Sequence, residues 1–331
     1  MPVASDQEET LNGRLEALLR AERNDAALRV ENLRRLTGGA SRETWSFDAV
    51  HADQARLGLI LRRDLPGTGN PGGMAREAAA LRAAAEAGVP EPALLLHSDD
   101  PRVLGTAFLI MEKIDGETIA RRILREPEYQ RVRGTLAYQC GEILARIHSI
   151  GREHIQGLAE PDPLADCATA LGALDEPRPV LELGLRWLRV NPPPSGRRRT
   201  VVHGDFRNGN LIVAPDGIRA VLDWEVVHWG DPAEDLGWLC VKAWRFGAPA
   251  PVGGFGSYEQ LLAGYAAGGG AAVDMTAVRW WETLGTLRWG LGCIGMARRH
   301  LSGAVRSVEL AAIGRRACEQ EGDLLKLIGG S

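Results

Sequence analysis

One short segment near the middle of the chain brings three oxygen-bearing side chains together. Asn210 stands just before a run of branched residues at 211–213, and Asp223 follows a second run at 218–222, with a Pro-Asp-Gly turn between the two runs. These features predict an antiparallel hairpin, which places Asn210 and Asp223 at the same end of the ribbon. Asp205 lies on the loop that leads into the hairpin. The three side chains should therefore converge without any long-range contact.

The chemistry of this trio is that of phosphoryl transfer. A carboxylate and a carboxamide suit Mg²⁺, which prefers oxygen ligands and keeps several waters or phosphate oxygens. A second carboxylate that is not needed as a ligand can accept the proton of a substrate hydroxyl. An isolated Asp-x-x-x-x-Asn is typical of ordinary loops with self-capping side chains, so the prediction depends on the hairpin and the second Asp.

The same segment resembles a known family. His203-Gly204-Asp205, then four residues, Asn210, and an Asp223-Trp224 pair thirteen positions later are similar to the catalytic and metal-binding segments of the aminoglycoside phosphotransferase and choline kinase-like family. The resemblance implies a protein-kinase-like, two-lobed α+β fold, with a small β-rich N-lobe and a larger, mostly helical C-lobe. It also implies ATP and Mg²⁺ as cofactors, with Asp205 as catalytic base and Asn210 and Asp223 as metal ligands. The chain is particularly similar to the phosphotransferase domain fused to some acyl-CoA dehydrogenases, and this resemblance implies a hydroxylated acid or acyl derivative as acceptor.

The resemblance divides the chain into a nucleotide-binding lobe with its hinge, residues 1–113, and a catalytic and acceptor-binding lobe, residues 114–331. A glycine-bearing turn between two predicted strands contains Gly39 and Ser41, whose backbone would approach the ATP phosphates. An ordinary hairpin turn is the alternative there. At the hinge, backbone groups of Glu112 and Ile114 would meet the adenine edge.

A buried strand ends at Arg62, where kinases carry a lysine that pairs with the nucleotide phosphates. A guanidinium also binds phosphate, with a geometry that differs from that of an ammonium group. The resemblance makes Glu77, in the first turn of the next helix, the partner of Arg62; a carboxylate favoured by the helix dipole is the alternative. Arg63 should lie on the opposite face of the strand, in solvent.

Several polar residues are predicted to support the site. His148 and His203 are expected to be structural, because a histidine on an apolar face is more often a hydrogen-bonded core residue than a catalyst. Asp235 matches the family residue that hydrogen-bonds the catalytic loop backbone. Asp231 and Pro232 predict the N-cap and first residue of a helix, with Glu234 completing a capping box.

Composition excludes other classes of function. The chain has 331 residues, 45% of them hydrophobic, with a net charge of -4, so no global basic field attracts nucleic acid or an anionic membrane. No signal peptide or apolar run of membrane-spanning length is evident, which predicts a cytoplasmic protein. The five cysteines are widely spaced in the sequence, which predicts free thiols.

Charge also bears on the acceptor. Residues 271–331 carry six acidic and eight basic side chains, whereas a polycationic aminoglycoside should meet a surplus of carboxylates. The expected acceptor is a small molecule with a hydroxyl group that is neutral or anionic and contacts tryptophan and arginine. Two alternatives remain: a nucleotide-binding pseudokinase scaffold, which ATP turnover would exclude, and a kinase acting on protein, which acceptor size would exclude.

Overall fold

The computed structural model describes residues 3–36, 42–65, 72–193 and 198–330. The chain folds into two compact units, the first formed by residues 1–115 and 153–157 and the second by residues 116–152 and 158–331. Among the described residues, no helix is both long enough and apolar enough to span a membrane.

The first unit is a five-stranded antiparallel sheet with helices packed on it. Its described elements are α1 (Val3–Arg23), β1 (Arg29–Arg35), β2 (Arg42–Val50), β3 (Arg56–Asp64), α2 (Gly73–Glu86), β4 (Leu94–Ser98), α3 (Pro101–Leu104) and β5 (Phe108–Glu112). The strands are ordered β1-β2-β3-β5-β4. Leu11, Leu15 and Leu19 recur every four residues on α1, so they form one face of the helix, and this face is buried against the apolar side of the sheet.

The register between β2 and β3 positions the charged ends of these strands. Thr44 lies opposite Arg62, and Arg42 lies opposite Asp64. Because side chains alternate along a strand, Arg42 and Arg62 occupy neighbouring positions on one face of the sheet, while Arg63 points to the other face.

The second unit is mostly helical. Its described elements are α4 (Ala120–Arg125), α5 (Gln130–Ser149), α6 (Pro163–Gly172), α7 (Pro179–Val190), β6 (Thr200–Val202), β7 (Leu211–Ala214), β8 (Gly217–Val221), β9 (His228–Gly230), α8 (Ala233–Cys240), α9 (Tyr258–Ala267), α10 (Met275–Leu301), α11 (Val308–Gly314) and α12 (Ala317–Ile328). The 27-residue helix α10 packs against α6, α7, α8, α11 and α12, and its buried face forms the centre of a large apolar core.

Helices α5 and α9 cross very closely because both carry glycine at the contact. A Cβ added at Gly264 would lie 2.0 Å from the Tyr138 carbonyl oxygen, and one at Gly141 would lie 2.2 Å from the Leu261 carbonyl oxygen. Any side chain at either position would separate the helices. This crossing holds α5, and with it His148, in a fixed position in the core of the unit.

The predicted hairpin is present. β7 and β8 pair antiparallel with Leu211 opposite Val221, and β6 pairs with β9 in a second two-stranded ribbon. The Leu222 N–H donates to the Asn210 carbonyl oxygen at 2.8 Å, which extends the pairing by one step beyond the strands. Asn210 and Asp223 therefore emerge at the same end of the ribbon, as the sequence predicts.

Candidate active site

The carboxylate of Asp205 is held by three donors from its surroundings. The Trp238 Nε1–H donates to Oδ1 at 2.8 Å, the Asn210 Nδ2–H donates to Oδ2 at 2.6 Å, and the Arg207 Nε–H lies 3.0 and 3.2 Å from the two oxygens. The side chain remains 22% exposed. The carboxylate is thus fixed in orientation yet open to a small molecule, which is the arrangement a general base needs.

The carboxamide of Asn210 is oriented by the same residue. Its Nδ2 also donates to the Asp205 carbonyl oxygen at 2.9 Å, so both amide hydrogens are directed at residue 205 and Oδ1 points away. Asp223, which follows the Leu222 contact, adopts the left-handed conformation with φ of 71°. Aspartate tolerates this region better than most residues, and such backbone is common at functional sites.

The oxygen atoms of Asn210 and Asp223 fit Mg²⁺. In the part of the chain that the structure describes, no three or more His, Cys, Asp or Glu side chains are grouped in a way that could hold a metal ion. A cation at this position would therefore depend on the carboxamide, one carboxylate and oxygens from water or phosphate. That ligand set matches the preference of Mg²⁺ for few carboxylates combined with substrate phosphates.

Asp235 anchors the loop that carries Asp205. It is fully buried and accepts hydrogen bonds from the backbone N–H groups of His203 at 2.8 Å and Gly204 at 2.9 Å, and from His148 Nε2 at 3.1 Å. Burial acts to raise the pKa of Asp235, but the hydrogen bond and charge of His148 oppose it and the net pKa is lowered. The predicted contact of Asp235 with the loop backbone and the predicted structural role of His148 are both confirmed.

His203 braces the same loop from within the core. Its Nδ1 accepts the backbone N–H of Asp205 at 3.2 Å, and its ring packs 4.7 Å from Trp224 and 5.9 Å from Phe206, centroid to centroid. Burial lowers the pKa of His203, so the ring is neutral with its proton on Nε2. Its role is structural, as predicted.

The start of α8 differs from the prediction. The helix begins at Ala233, one residue later than predicted, although the Asp231 carboxylate still accepts the Ala233 N–H at 3.0 Å. Glu234 does not close a capping box. Its carboxylate lies 3.1 Å from His228 Nε2 and accepts the Arg288 Nη1–H at 2.9 Å. Glu234 is buried, so its charge needs these partners for compensation.

Arg288 is a supporting residue that sequence reasoning missed. Its Nη2–H donates to the Gly204 carbonyl oxygen at 3.0 Å, and its guanidinium lies 4.2 Å from the centroid of the Trp238 ring. It therefore contacts both the loop that carries Asp205 and the indole that binds the Asp205 carboxylate. No short-range signal could have found it, because α10 is distant from the loop in sequence.

The predicted pair of Arg62 and Glu77 is present in the first unit. The Arg62 Nη1–H donates to Glu77 Oε1 at 2.6 Å, and Glu77 is 1% exposed. Arg42, which sequence reasoning missed, also forms an ion pair with Glu77 and donates to Asp64 at 3.0 Å. Two guanidinium groups thus flank one buried carboxylate, so Arg62 is held firmly at the end of β3.

Arg63 departs from the prediction of a solvated side chain. It is 19% exposed, its Nε–H donates to Glu43 at 2.7 Å, and its guanidinium lies 5.7 Å from the Trp45 ring. The paired strand β2 supplies both partners, which explains why β3 alone predicted exposure.

Of the other residues predicted to contact the nucleotide, Glu112 and Ile114 lie within the described part of the chain. The Glu112 N–H donates to the Ala93 carbonyl oxygen at 2.9 Å, so an adenine contact at Glu112 is limited to its carbonyl oxygen. Ile114 immediately precedes the boundary of the first unit at residue 115. Gly39 and Ser41 lie outside the described residues.

A groove in the second unit opens beside the loop that carries Asp205, at Gly209. We call it the basic groove; its cavity volume is about 1230 Å³. Six cationic side chains line it: Arg121, Arg125, Lys242, Arg245, Arg316 and Lys326. Among the described residues that line the groove there is no tryptophan. Trp280 and Trp281 line a separate cavity of about 620 Å³ in the second unit, so the expected tryptophan contacts of the acceptor stay a prediction.

Comparisons with known proteins agree on one family. The family model described as the phosphotransferase enzyme family matches residues 32–281. The chain belongs to this family. Its fold also resembles solved structures: a candidate aminoglycoside phosphotransferase from Ralstonia eutropha, at 21% identity and a TM-score of 0.74 over 96% of this chain and 98% of that one, and the macrolide 2'-phosphotransferase of Brachybacterium faecium, at 19% identity and a TM-score of 0.58 over 92% and 97%. The predicted α+β, kinase-like fold is thereby confirmed.

Among curated proteins, the chain is similar to multidomain relatives. It is 33% identical to acyl-CoA dehydrogenase family member 10 of Mus musculus over 195 residues, which are 55% of this chain and 18% of that protein. It is 29% identical to family member 11 of Homo sapiens over 190 residues, which are 54% of this chain and 24% of that protein. The chain thus spans about a fifth of the length of these relatives, and the predicted resemblance to their phosphotransferase domain is confirmed.

Proposed function

We propose that this phosphotransferase-family chain is a Mg²⁺-dependent kinase that transfers the γ-phosphoryl group of ATP to a hydroxyl group of a small molecule. The observation that carries the proposal is the Asp205 carboxylate, which is oriented by Trp238, Asn210 and Arg207 and still partly exposed. The exposed part of the carboxylate leaves room for an acceptor hydroxyl to reach it.

The residues divide the reaction between them. Asp205 accepts a hydrogen bond from the acceptor hydroxyl, directs its oxygen at the γ-phosphorus and takes up the proton as the new P–O bond forms and the bond to ADP breaks. Asn210 and Asp223 would hold Mg²⁺, which neutralises charge on the transferred group when bound. In the first unit, Arg62 would bind the nucleotide phosphates, with Glu77 fixing its position, while Gly39, Ser41 and backbone groups of Glu112 and Ile114 complete the nucleotide contacts.

Ligands of structural relatives support ATP and a small acceptor. An aminoglycoside phosphotransferase of the APH(4)-Ia type, with a TM-score of 0.64 and 16% identity to this chain, was solved with AMP-PNP and hygromycin B. An APH(2'')-Ib structure with a TM-score of 0.54 contains ADP. A polycationic antibiotic does not suit this chain, however, because the basic groove beside the catalytic loop would repel it.

The proposal is tested by replacing the base. We expect Asp205→Asn to lower turnover by about 10²–10⁴-fold while equilibrium binding of Mg·ATP is nearly unchanged, because the carboxamide keeps the shape but cannot take the proton. The assay is ADP release in the presence of Mg²⁺, ATP and a panel of small hydroxylated compounds, with omission of Mg²⁺ as a second arm.

The matched control is Asp216→Asn, at the exposed turn of the same hairpin, which should retain full turnover. Turnover by Asp205→Asn at the wild-type rate would exclude Asp205 as the base. Binding of ATP without turnover by the wild-type chain, across acceptors of every charge, would favour a nucleotide-binding scaffold.

A further inference from the structure

We propose that the acceptor carries a phosphate group and that Arg121 and Arg125, on the wall of the basic groove, bind it. This inference rests on the proposed function and specifies its substrate class. It assigns a subsite to residues on α4 that play no part in the chemistry described above.

The charge of the groove is strongly one-sided. Its lining contains six cationic side chains but only two acidic ones, Glu319 and Asp323. Both acids are already engaged: Asp323 pairs with Lys242, and Glu319 accepts the Arg316 Nε–H at 3.2 Å. The same pairs neutralise Lys242 and Arg316, and Arg245 pairs with Glu282 at 2.8 Å. The lining therefore has no uncommitted carboxylate, and the positive charge of Arg121 and Arg125 on α4 favours an anionic ligand.

Arg121 and Arg125 are the cations most available to a ligand. Both side chains are exposed, and neither makes a hydrogen bond or an ion pair with any residue that the structure describes. By contrast, Arg122 on the same helix pairs with Glu117 at 3.1 Å. Residues four apart lie on one face of a helix, so both guanidinium groups can reach one anion, and their mutual repulsion would be relieved when it binds.

The groove is continuous with the catalytic loop. Gly209, which lines the groove, lies between Asp205 and Asn210 in sequence. The segment that leads into α4 is tied to the catalytic hairpin, because Glu117 and Val213 exchange backbone hydrogen bonds of 2.9 and 3.0 Å. An acceptor bound to α4 would therefore be held at a fixed position relative to the hairpin.

The lining of the groove includes a residue with strained backbone. Phe246 has a φ of 47°, a left-handed conformation that is unusual for a bulky residue, and it lines the groove. Strain of this kind is retained where the surrounding fold imposes it, most often at ligand sites. Together with Ile119, which is 52% exposed, Phe246 gives the groove an apolar surface next to its cations.

Phosphate is the anion that fits best. Each guanidinium can donate two parallel hydrogen bonds to phosphate oxygens, and a phosphate can engage both arginines at once. A volume of about 1230 Å³ exceeds what a monosaccharide alone would fill. The acceptor we infer has a hydroxyl directed at Asp205 and a phosphate on α4.

The test measures binding separately from turnover. Isothermal titration calorimetry is performed on the full chain saturated with Mg·AMP-PNP, so that the nucleotide site is occupied. The probes are fructose 6-phosphate, fructose, and gluconate as a carboxylate of similar size. We expect fructose 6-phosphate to bind at least about tenfold more tightly than either of the others, and this preference to weaken with added salt.

The same titrations are repeated on a double variant that combines Arg121→Ala with Arg125→Ala. The control variant is Arg306→Ala, because Arg306 is also exposed but does not line the groove. The double variant should lose the tenfold preference, whereas the control should keep it. Three results would overturn the inference: equal affinity for fructose and fructose 6-phosphate, no binding of fructose 6-phosphate, or an unchanged preference in the double variant. If gluconate bound as tightly as fructose 6-phosphate, the assignment to phosphate would be overturned. Phosphate-selective binding by a chain that never turns over ATP would refute the proposed function alone.

Discussion

Replacing Asp235 by Asn should loosen the catalytic loop without touching any group that contacts substrate. In the wild-type chain, Oδ2 of Asp235 accepts the His203 N–H and faces His148 Nε2, while Oδ1 accepts the Gly204 N–H. Asparagine keeps only one acceptor oxygen. Whichever oxygen becomes the amide, at least one backbone N–H in the loop loses its partner and faces another donor.

The size of the effect follows from these contacts. A hydrogen bond to a charged group contributes roughly 1.5–3 kcal/mol, and a change of tautomer at His148 can repair only the side-chain contact. We therefore expect the free energy of local opening of the loop to fall by about 2 kcal/mol, which corresponds to about 30-fold faster exchange of its amide hydrogens. Turnover should fall as well, because Asp205 is carried by the same loop.

Hydrogen exchange followed by mass spectrometry is the direct assay, read on peptides that cover residues 200–210. The Asp216→Asn variant serves as control and should exchange there like the wild type. The folded pKa of Asp235 is lowered below its ordinary value of 3.8, so its stabilising contribution is fully present above pH 3.8 and disappears as the pH falls through the lower, folded value. Unchanged exchange in residues 200–210 at pH 7 would refute the assignment of Asp235 as the anchor.

Two further predictions address other parts of the chain. Burial raises the pKa of the Glu91 carboxyl from 4.5 to about 8, and its Oε2 lacks a hydrogen-bond partner among the described residues. The folded state therefore favours the protonated form. The stability of the wild-type protein declines as the pH rises from 4.5 through 8. At pH 9, Glu91→Gln should therefore be more stable than the wild type by roughly 2–4 kcal/mol and should melt at a higher temperature. At pH 4.5 the two proteins should differ little. Equal melting temperatures at pH 9 would contradict this prediction. Trp238→Phe removes the N–H that binds Asp205 Oδ1 and should lower turnover about tenfold without changing ATP affinity. Steady-state kinetics measure this, with Trp229→Phe as the control variant. Unaltered turnover in Trp238→Phe would show that this donor does not position the base.

The parts of the site that lie close together in sequence were predictable. Asp205, Asn210 and Asp223 converge because a single hairpin of two short strands joins them, and the turn composition that specifies this hairpin is local. Arg207 could also have been found, since it lies two residues from Asp205 within the same motif. Asp235 followed from the family resemblance, not from its own pattern.

Residues supplied by neighbouring elements were harder to predict. Arg42 reaches Glu77 because β2 pairs with β3, and a register of the two strands would have shown two cations at the same end of the sheet. Trp238 and Arg288 reach the catalytic loop only through the packing of α8 against α10. The direction in which a side chain on a helix points depends on that packing, so no spacing within either helix reveals the contact.

The sequence by itself determined the family, the α+β fold and the hairpin that brings Asn210 and Asp223 to one end of the ribbon, because hairpin formation, strand patterning and a specific motif all act over short distances along the chain. The tertiary structure decided the charge of the basic groove. A count over residues 271–331 included Arg279 and Arg288, yet both form ion pairs with buried carboxylates, those of Glu282 and Glu234. The exposed cations of the groove that form no ion pair with a described residue, Arg121 and Arg125, come instead from α4. A charge acts on a ligand only where it is both accessible and not neutralised, and both conditions are set by contacts between residues far apart in sequence.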